Sequence, residues 1–108
     1  MTLIVAFVLF LQFPQSSVSG RIEDLQSRNP IPDVTILLEG TSLKVKSDTN
    51  GNFTIGPVPF GLYQLRLVHL DYISVRQEVL VSDSAKTLCV SMTSKYVYLI
   101  SHPVEIQD

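Results

Sequence analysis

Residues suited by type to chemistry are few in this chain, and they are scattered. His69 and His102 are the only histidines and Cys89 is the only cysteine among 108 residues. His69 and Asp71 stand two apart, and residues two apart on a strand face the same side. The pair therefore has the spacing of a base and its orienting carboxylate, or of two metal ligands. Zinc takes three or four protein ligands, and neither a second cysteine nor a third histidine exists to complete a set. Asp48-Thr49-Asn50-Gly51-Asn52 is rich in oxygen donors, as a calcium loop is. An EF-hand, however, places its Gly after the third ligand position and a Glu six residues further on. Here Gly51 comes before Asn52 and the later Glu is missing. Asp and Asn accept backbone hydrogen bonds in tight turns, and Asn50-Gly51 suits positive φ, so the segment reads as a turn. Asn52-Phe53-Thr54 satisfies the glycosylation sequon, but Asn52 falls where a strand begins. No Gly-x-Ser-x-Gly elbow and no phosphate loop is present. Cys89 alternates outward between Leu88 and Val90 and reads as a small strand residue. The expectation is a protein with no catalytic residue, no metal ligand and no cofactor.

Composition narrows the partners. The net charge is −2, with 45% hydrophobic and 17% charged residues. Lys and Arg occur singly along the chain, which leaves no electrostatic footprint for nucleic acid or for an anionic membrane surface. The length suits one domain. The N-terminus stands apart from the rest. Leu3 to Leu11 is an unbroken apolar run of about nine residues, too short for a bilayer that needs roughly 20. It suits the apolar region of a secretory signal peptide, with small residues following at Ser16 and Ser17. Residues 1–17 are therefore read as an export signal. No Lys or Arg precedes the run, and no Cys follows it to carry a lipid anchor.

The remaining residues must be positioned by strands. Val18 and Ile22 flank Gly20, and a glycine inside a strand marks a bulge or a close backbone approach. Asp24 to Asp33 is a loop punctuated by Asn29-Pro30 and Ile31-Pro32. Val34, Ile36 and Leu38 alternate with Thr35, Leu37 and Glu39. Gly40-Thr41 turns the chain, and Leu43 and Val45 face in while Lys44 and Lys46 face out. After the Asp48 turn, Phe53 and Ile55 return to the buried face. Gly56 to Gly61 reads as a rigid loop. Tyr63, Leu65 and Leu67 alternate against Gln64 and Arg66. Val75, Val79 and Val81 share a face, and so do Leu88, Val90 and Met92. Seven short strands at roughly 8–12-residue spacing predict a β-sandwich. Tyr96 to Ile100 reads as one more strand-like piece, an eighth strand or the start of a further region within residues 93–108.

On these landmarks the chain resembles the carboxypeptidase-regulatory-like family. Ser19-Gly20-Arg21-Ile22, with Asp24 and then Pro30-Ile31-Pro32-Asp33-Val34-Thr35-Ile36, is similar to the family's opening. Leu38-Glu39-Gly40-Thr41 and Lys46-Ser47-Asp48-Thr49-Asn50-Gly51-Asn52-Phe53 resemble its next two turns. Pro57 to Tyr63, with Gly61, resembles its Pro-x-Gly-x-Tyr turn, and Val68 to Tyr72 its ending. The resemblance covers about Val18 to Ser91. Asp33 stands where the family's first turn usually has Gly, and Asp71 where Gly usually precedes the tyrosine.

The resemblance implies an all-β, seven-stranded, Greek-key β-sandwich of the transthyretin (prealbumin) type over residues 18–92. In it Gly20, Gly40, Asp48, Gly51, Phe53, Gly61, Tyr63 and Tyr72 serve as structural turn residues. Phe53, Phe60, Tyr63 and Tyr72 fill the core or brace turns rather than stack on a sugar. Enzymes with similar folds are hydroxyisourate hydrolases, which end in a Tyr-Arg-Gly-Ser tetrapeptide, and intradiol dioxygenases, which hold iron with two Tyr and two His. Neither constellation occurs here. Family members sit beside peptidase domains as folding supports. They also open TonB-dependent outer-membrane receptors of Bacteroidetes-type bacteria, directly after the signal peptide, and His102 to Ile106 falls about where the TonB-contacting segment of such receptors would lie. The expectation is a non-catalytic, exported accessory module for nutrient uptake, in the periplasm or outer membrane of a Gram-negative bacterium. Its partner would be a neighbouring domain or another envelope protein. The alternatives are a stand-alone or peptidase-associated stabilising module and a small surface binding domain.

Overall fold

Alternation of apolar and polar residues becomes seven strands in the computed structural model, which describes residues 14–84 and 87–101. The strands are β1 (Gln15–Asp24), β2 (Thr35–Leu38), β3 (Lys44–Lys46), β4 (Asn52–Pro59), β5 (Gly61–His69), β6 (Tyr72–Val81) and β7 (Thr87–Met92). They form two sheets, in the orders β4-β1-β7 and β3-β2-β5-β6. Every pairing is antiparallel except β1 with β7. Only β2–β3 and β5–β6 are joined within one sheet; every other connection passes between sheets, as in a Greek key. The all-β, seven-stranded sandwich is therefore the fold of this chain.

The inner faces carry the core. Val18, Ile22, Phe53, Ile55, Val90 and Met92 come from one sheet, and Ile36, Leu38, Leu65, Leu67, Val79 and Val81 from the other. Burying each such side chain stabilises by about 1.5–3 kcal/mol. The ion pairs Arg28–Glu23 (3.0 Å) and Arg76–Glu39 (2.8 Å) lie at the surface and contribute at most about 1 kcal/mol each. The core thus holds the sandwich together.

The register also fixes two unlike ends. β1 and β7 run parallel and finish together at Asp24 and Met92. β4 begins opposite Arg21, and β2 begins opposite Val68, near the end of β5. The loops Asp24 to Val34, Ser47 to Gly51 and Leu70 to Asp71 consequently gather at this end. Pro14, Pro59 to Gly61 and Ser82 to Ser84 lie at the other.

Several expectations are corrected. Tyr96 to Ile100 is not an eighth strand: Lys95–Ser101 forms a helix, α1. The Tyr and β-branched content of this piece resembles a strand, but Ser94 redirects it. Its Oγ accepts the Tyr96 N–H at 3.1 Å, which is the action of an N-cap. The Lys95 N–H is meanwhile spent on the Asp71 carbonyl at 2.9 Å. Gly56 to Gly61 is not a loop either, because β4 continues to Pro59 and buries Val58. The bulge is on β4, where Gly56 and Pro57 together oppose Ser17, whereas Gly20 marks a close approach, its Cβ position standing 2.6 Å from the Phe53 ring. β1 starts at Gln15, so a boundary after residue 17 falls inside a strand. The apolar run Leu3–Leu11 and the segment His102–Ile106 lie outside the described residues.

Candidate functional site

The turn of Asp48 is built by its own carboxylate. Oδ1 accepts the N–H groups of Asn50 and Asn52, each at 2.9 Å, and the Gly51 N–H donates to the Asp48 carbonyl at 2.9 Å. Gly51 sits at φ 75°, where a side chain is costly. Its carbonyl accepts the Ile22 N–H at 2.8 Å, and the Ile22 carbonyl accepts the Ile31 N–H at 3.0 Å. A Cβ on Gly51 would stand 2.4 Å from the Ile22 oxygen. The Asp48–Gly51 turn is therefore pressed against β1 and the Pro30-Ile31 loop, and its oxygens serve backbone donors.

Ser47 joins the same knot, and the sequence-based expectations passed it over. It is the sole buried polar side chain among the described residues. Its Oγ donates to the Ile31 carbonyl at 2.8 Å and accepts the Val34 N–H at 2.9 Å. Backbone bonds Asp33 N–H to Ser47 O (3.0 Å) and Ser47 N–H to Val34 O (2.9 Å) complete the stitch. The available signal was a small hydroxyl residue between an outward-facing lysine and a turn-forming Asp. Within the stitched loop Asp33 adopts φ 62°, a left-handed conformation that Asp tolerates better than most residues.

Asp24 and Tyr72 are the first and last landmarks of the sequence pattern, and they meet here. Asp24 Oδ1 accepts the N–H groups of Gln26 (2.8 Å) and Ser27 (3.0 Å), and Oδ2 accepts the Tyr72 hydroxyl at 2.8 Å. The Ser27 amide, followed by the Tyr72 hydroxyl, holds the Asp24 carboxyl below the usual range. Burial, followed by the hydrogen bond and charge of Asp24, pushes Tyr72 up to about 12. Tyr72 thus keeps its proton at neutral pH, and both Asp24 oxygens are occupied. The pair fastens the two sheets, and neither member is free to act as a base. Beside it, the Ile73 N–H donates to Thr93 O at 2.9 Å, tying β6 to the end of β7.

The other expected residues have separate places. Gly40 turns the chain after β2 at φ 83°, with open space around it. Gly20 is mid-strand, where a Cβ would stand 2.6 Å from the Phe53 ring; it is a packing glycine and not a turn residue. Phe53 is buried over it. Tyr63 donates its hydroxyl to the Pro59 carbonyl at 2.7 Å, bracing the β4–β5 crossing as a tyrosine corner does. Gly61 begins β5 under the Tyr63 ring, where a methyl would make ordinary 3.4 Å contact. Phe60 departs from expectation, being 40% exposed.

His69 and Asp71 do not form a dyad. His69 Nδ1 accepts the backbone N–H of Asp71 at 3.1 Å, and its ring meets Tyr72 edge-on at 5.3 Å. Both contacts shape the β5–β6 turn. Among the described residues, no three His, Cys, Asp or Glu side chains converge as a metal site would need, and Cys89 is exposed. A cleft lies elsewhere, at the opposite end. It has a volume of about 210 Å³ and runs between Ser16–Val18 of β1 and Glu78–Val81 of β6, with Leu88 behind. Its wall of serines, valines and one Glu holds no paired nucleophile and base.

The model of the CarboxypepD_reg-like domain family matches residues 18–100, so the matched unit takes in most of α1. No individually curated protein shows a significant likeness to the chain. Among solved structures, it resembles a chain of a type II Cohesin-X-Dockerin complex from Acetivibrio cellulolyticus, with 24% identity, TM-score 0.60, and coverage of 71% of this chain and 56% of that one. A streptococcal ancillary pilin matches with TM-score 0.64 and 13% identity over 78% of this chain and 30% of the pilin. A putative carbohydrate binding protein from Bacteroides uniformis matches with TM-score 0.56 and 15% identity over 73% and 41%. The chain therefore spans between 30% and 56% of the longer chains it matches, and at these identities the likeness is one of fold.

Proposed function

The chain belongs to the CarboxypepD_reg-like domain family, and from that membership we propose that it is a non-catalytic accessory module of an exported protein. In this reading it is the N-terminal domain of a TonB-dependent outer-membrane receptor for nutrient uptake, in the periplasm or outer membrane of a Gram-negative bacterium. One observation carries the non-catalytic part. The polar side chains at the landmark positions each make hydrogen bonds within this chain, Asp24, Asp48 and Tyr63 to its backbone and Tyr72 to Asp24. An active site keeps such groups turned toward a substrate; here they are turned into the fold. The apolar run that precedes the domain supports export. The longer chains that share the fold support a role beside other domains.

The work of such a module is to offer a rigid surface to its neighbour. β6 is a ten-residue edge strand, and an unpaired strand edge offers backbone groups to another chain. The family description itself favours a second reading, a support for a peptidase domain. Reading the frame beyond Asp108 separates the two: a plug followed by many alternating ten-residue strands supports the receptor, and a zinc peptidase signature supports the second reading. Fractionation of cells producing the whole protein tests export directly, and a cytoplasmic location would overturn it. Hydrolytic turnover by the purified chain, abolished in His69→Ala, would overturn the non-catalytic reading.

A further inference from the structure

We infer that Gln15, Ser16 and Ser17 belong to the mature domain, so that any removal of the apolar leader takes place upstream of Gln15. The inference draws on the export reading only for there being a leader to remove. Ser16 and Ser17 are the small residues that follow the apolar run, where a boundary of the export signal is expected, yet the fold uses these residues in three ways.

The first is pairing. Gln15 lies opposite Pro59 and Ser16 opposite Val58, and just before them the Pro14 carbonyl accepts the Phe60 N–H at 3.2 Å. Hydrolysis of the Ser17–Val18 peptide bond would strip the last stretch of β4 of its partner. The second is close approach. A Cβ on Gly56 would stand 3.0 Å from Ser17 Cα and 3.2 Å from the Ser16 carbonyl oxygen. β4 thus carries a glycine, itself at φ 128°, at the place where the Ser16-Ser17 backbone passes, so the two backbones are fitted closely together. The third is cover. Ser16, Ser17 and Val18 form one wall of the 210 Å³ cleft, and Val79 and Val81 stand in the wall opposite. These valines are 8% and 3% exposed, and removing Ser16 and Ser17 would open them to water.

The test is the N-terminus of the protein made from its own Met1 in a Gram-negative host. Intact-mass measurement and N-terminal sequencing of each cell fraction should give a chain beginning at or before Gln15. Folded protein in the envelope fraction beginning at Val18 would overturn the inference. A chain that keeps Met1 and stays in the cytoplasm would refute export while leaving the placement of Gln15–Ser17 intact, so the two failures are distinguishable. Hydrogen exchange on the full chain gives an independent readout. The Val18 and Val58 region should be protected to within about tenfold of the Asn52–Ile55 half of β4. Exchange there at the rate of an unstructured peptide would overturn the inference as well.

Discussion

Three glycines of this sandwich are required for different reasons, and alanine at each separates those reasons. Gly40 has φ 83° and nothing within 4 Å of where a Cβ would go. Gly40→Ala therefore measures the left-handed backbone alone, about 1–2 kcal/mol. Gly51 has a similar φ of 75°, but its Cβ would stand 2.4 Å from the Ile22 oxygen and 3.1 Å from Pro30 Cβ. The methyl cannot escape in either direction without parting Gly51 from β1 or β1 from Ile31. Each of those hydrogen bonds contributes about 0.5–1.5 kcal/mol, so Gly51→Ala should cost about 1–3 kcal/mol more than Gly40→Ala. A domain of this size is stable by about 5–10 kcal/mol, and about 4–8 °C of Tm accompanies each kcal/mol. Gly51→Ala should then melt about 8–40 °C lower, against about 4–16 °C for Gly40→Ala. Gly20 has no positive φ; its Cβ would meet the Phe53 ring at 2.6 Å and the Leu88 carbonyl at 2.9 Å. Gly20→Ala should cost about 1–3 kcal/mol by overpacking and be partly relieved by Phe53→Leu. Urea unfolding at constant m-value gives all of these numbers. If Gly51→Ala and Gly40→Ala agree within about 0.5 kcal/mol, the close approach at Ile22 contributes nothing and the account of the knot fails.

The Asp24–Tyr72 pair predicts two pH limits. Tyr72 is raised to about 12, so its contribution is full below the ordinary tyrosine value near 10 and is lost as pH rises from about 10 to 12; Tyr72→Phe should flatten stability across that window. Asp24 is lowered, so its contribution is present above about pH 4 and is lost as pH falls through its folded value; Asp24→Asn should be less acid-sensitive than the parent. Ser47→Ala leaves the Ile31 carbonyl and the Val34 amide without the hydroxyl that serves both, and should cost about 2–4 kcal/mol by urea unfolding. Asp33→Gly relieves a non-glycine φ of 62° and should raise stability by up to about 1 kcal/mol; a loss would mean that the Asp33 side chain has a role of its own.

What was legible in the sequence was whatever has period two. Val34, Ile36 and Leu38, or Tyr63, Leu65 and Leu67, announce their inner face because alternate side chains of a strand face alternate sides. The turns were equally plain, since Asp48-Thr49-Asn50-Gly51 is punctuation of a known kind. Two sorts of feature escaped. One is local competition between signals: α1 has the composition of a strand but is capped as a helix by Ser94. The strand through Gly56-Pro57 was hidden in the same way, because a Gly-Pro step reads as a loop although here it forms a bulge within β4 opposite Ser17. The other is contact across the chain. Asp24 and Tyr72 lie 48 positions apart, and no local pattern states that one carboxylate oxygen will meet one hydroxyl. Ser47 is ordinary in sequence and becomes singular only when Ile31 and Val34 are folded onto it.

The contacts across the chain share a cause. Ser47, Asp24, Gly51 and Tyr72 all stand at the end of the sandwich where both sheets and their loops must be closed over Ile31 and Val34. Backbone groups in those loops need partners once water is excluded, and short polar side chains supply them. Part of the landmark pattern thus closes this end, while the Pro59–Tyr63 landmark braces the other. Large apolar side chains are exposed at both ends: Leu25 and Leu70 are 47% and 84% exposed at this one, and Phe60, Leu62 and Leu80 are 40%, 64% and 59% exposed at the other, with Leu62 directly opposite Leu80 across β5 and β6.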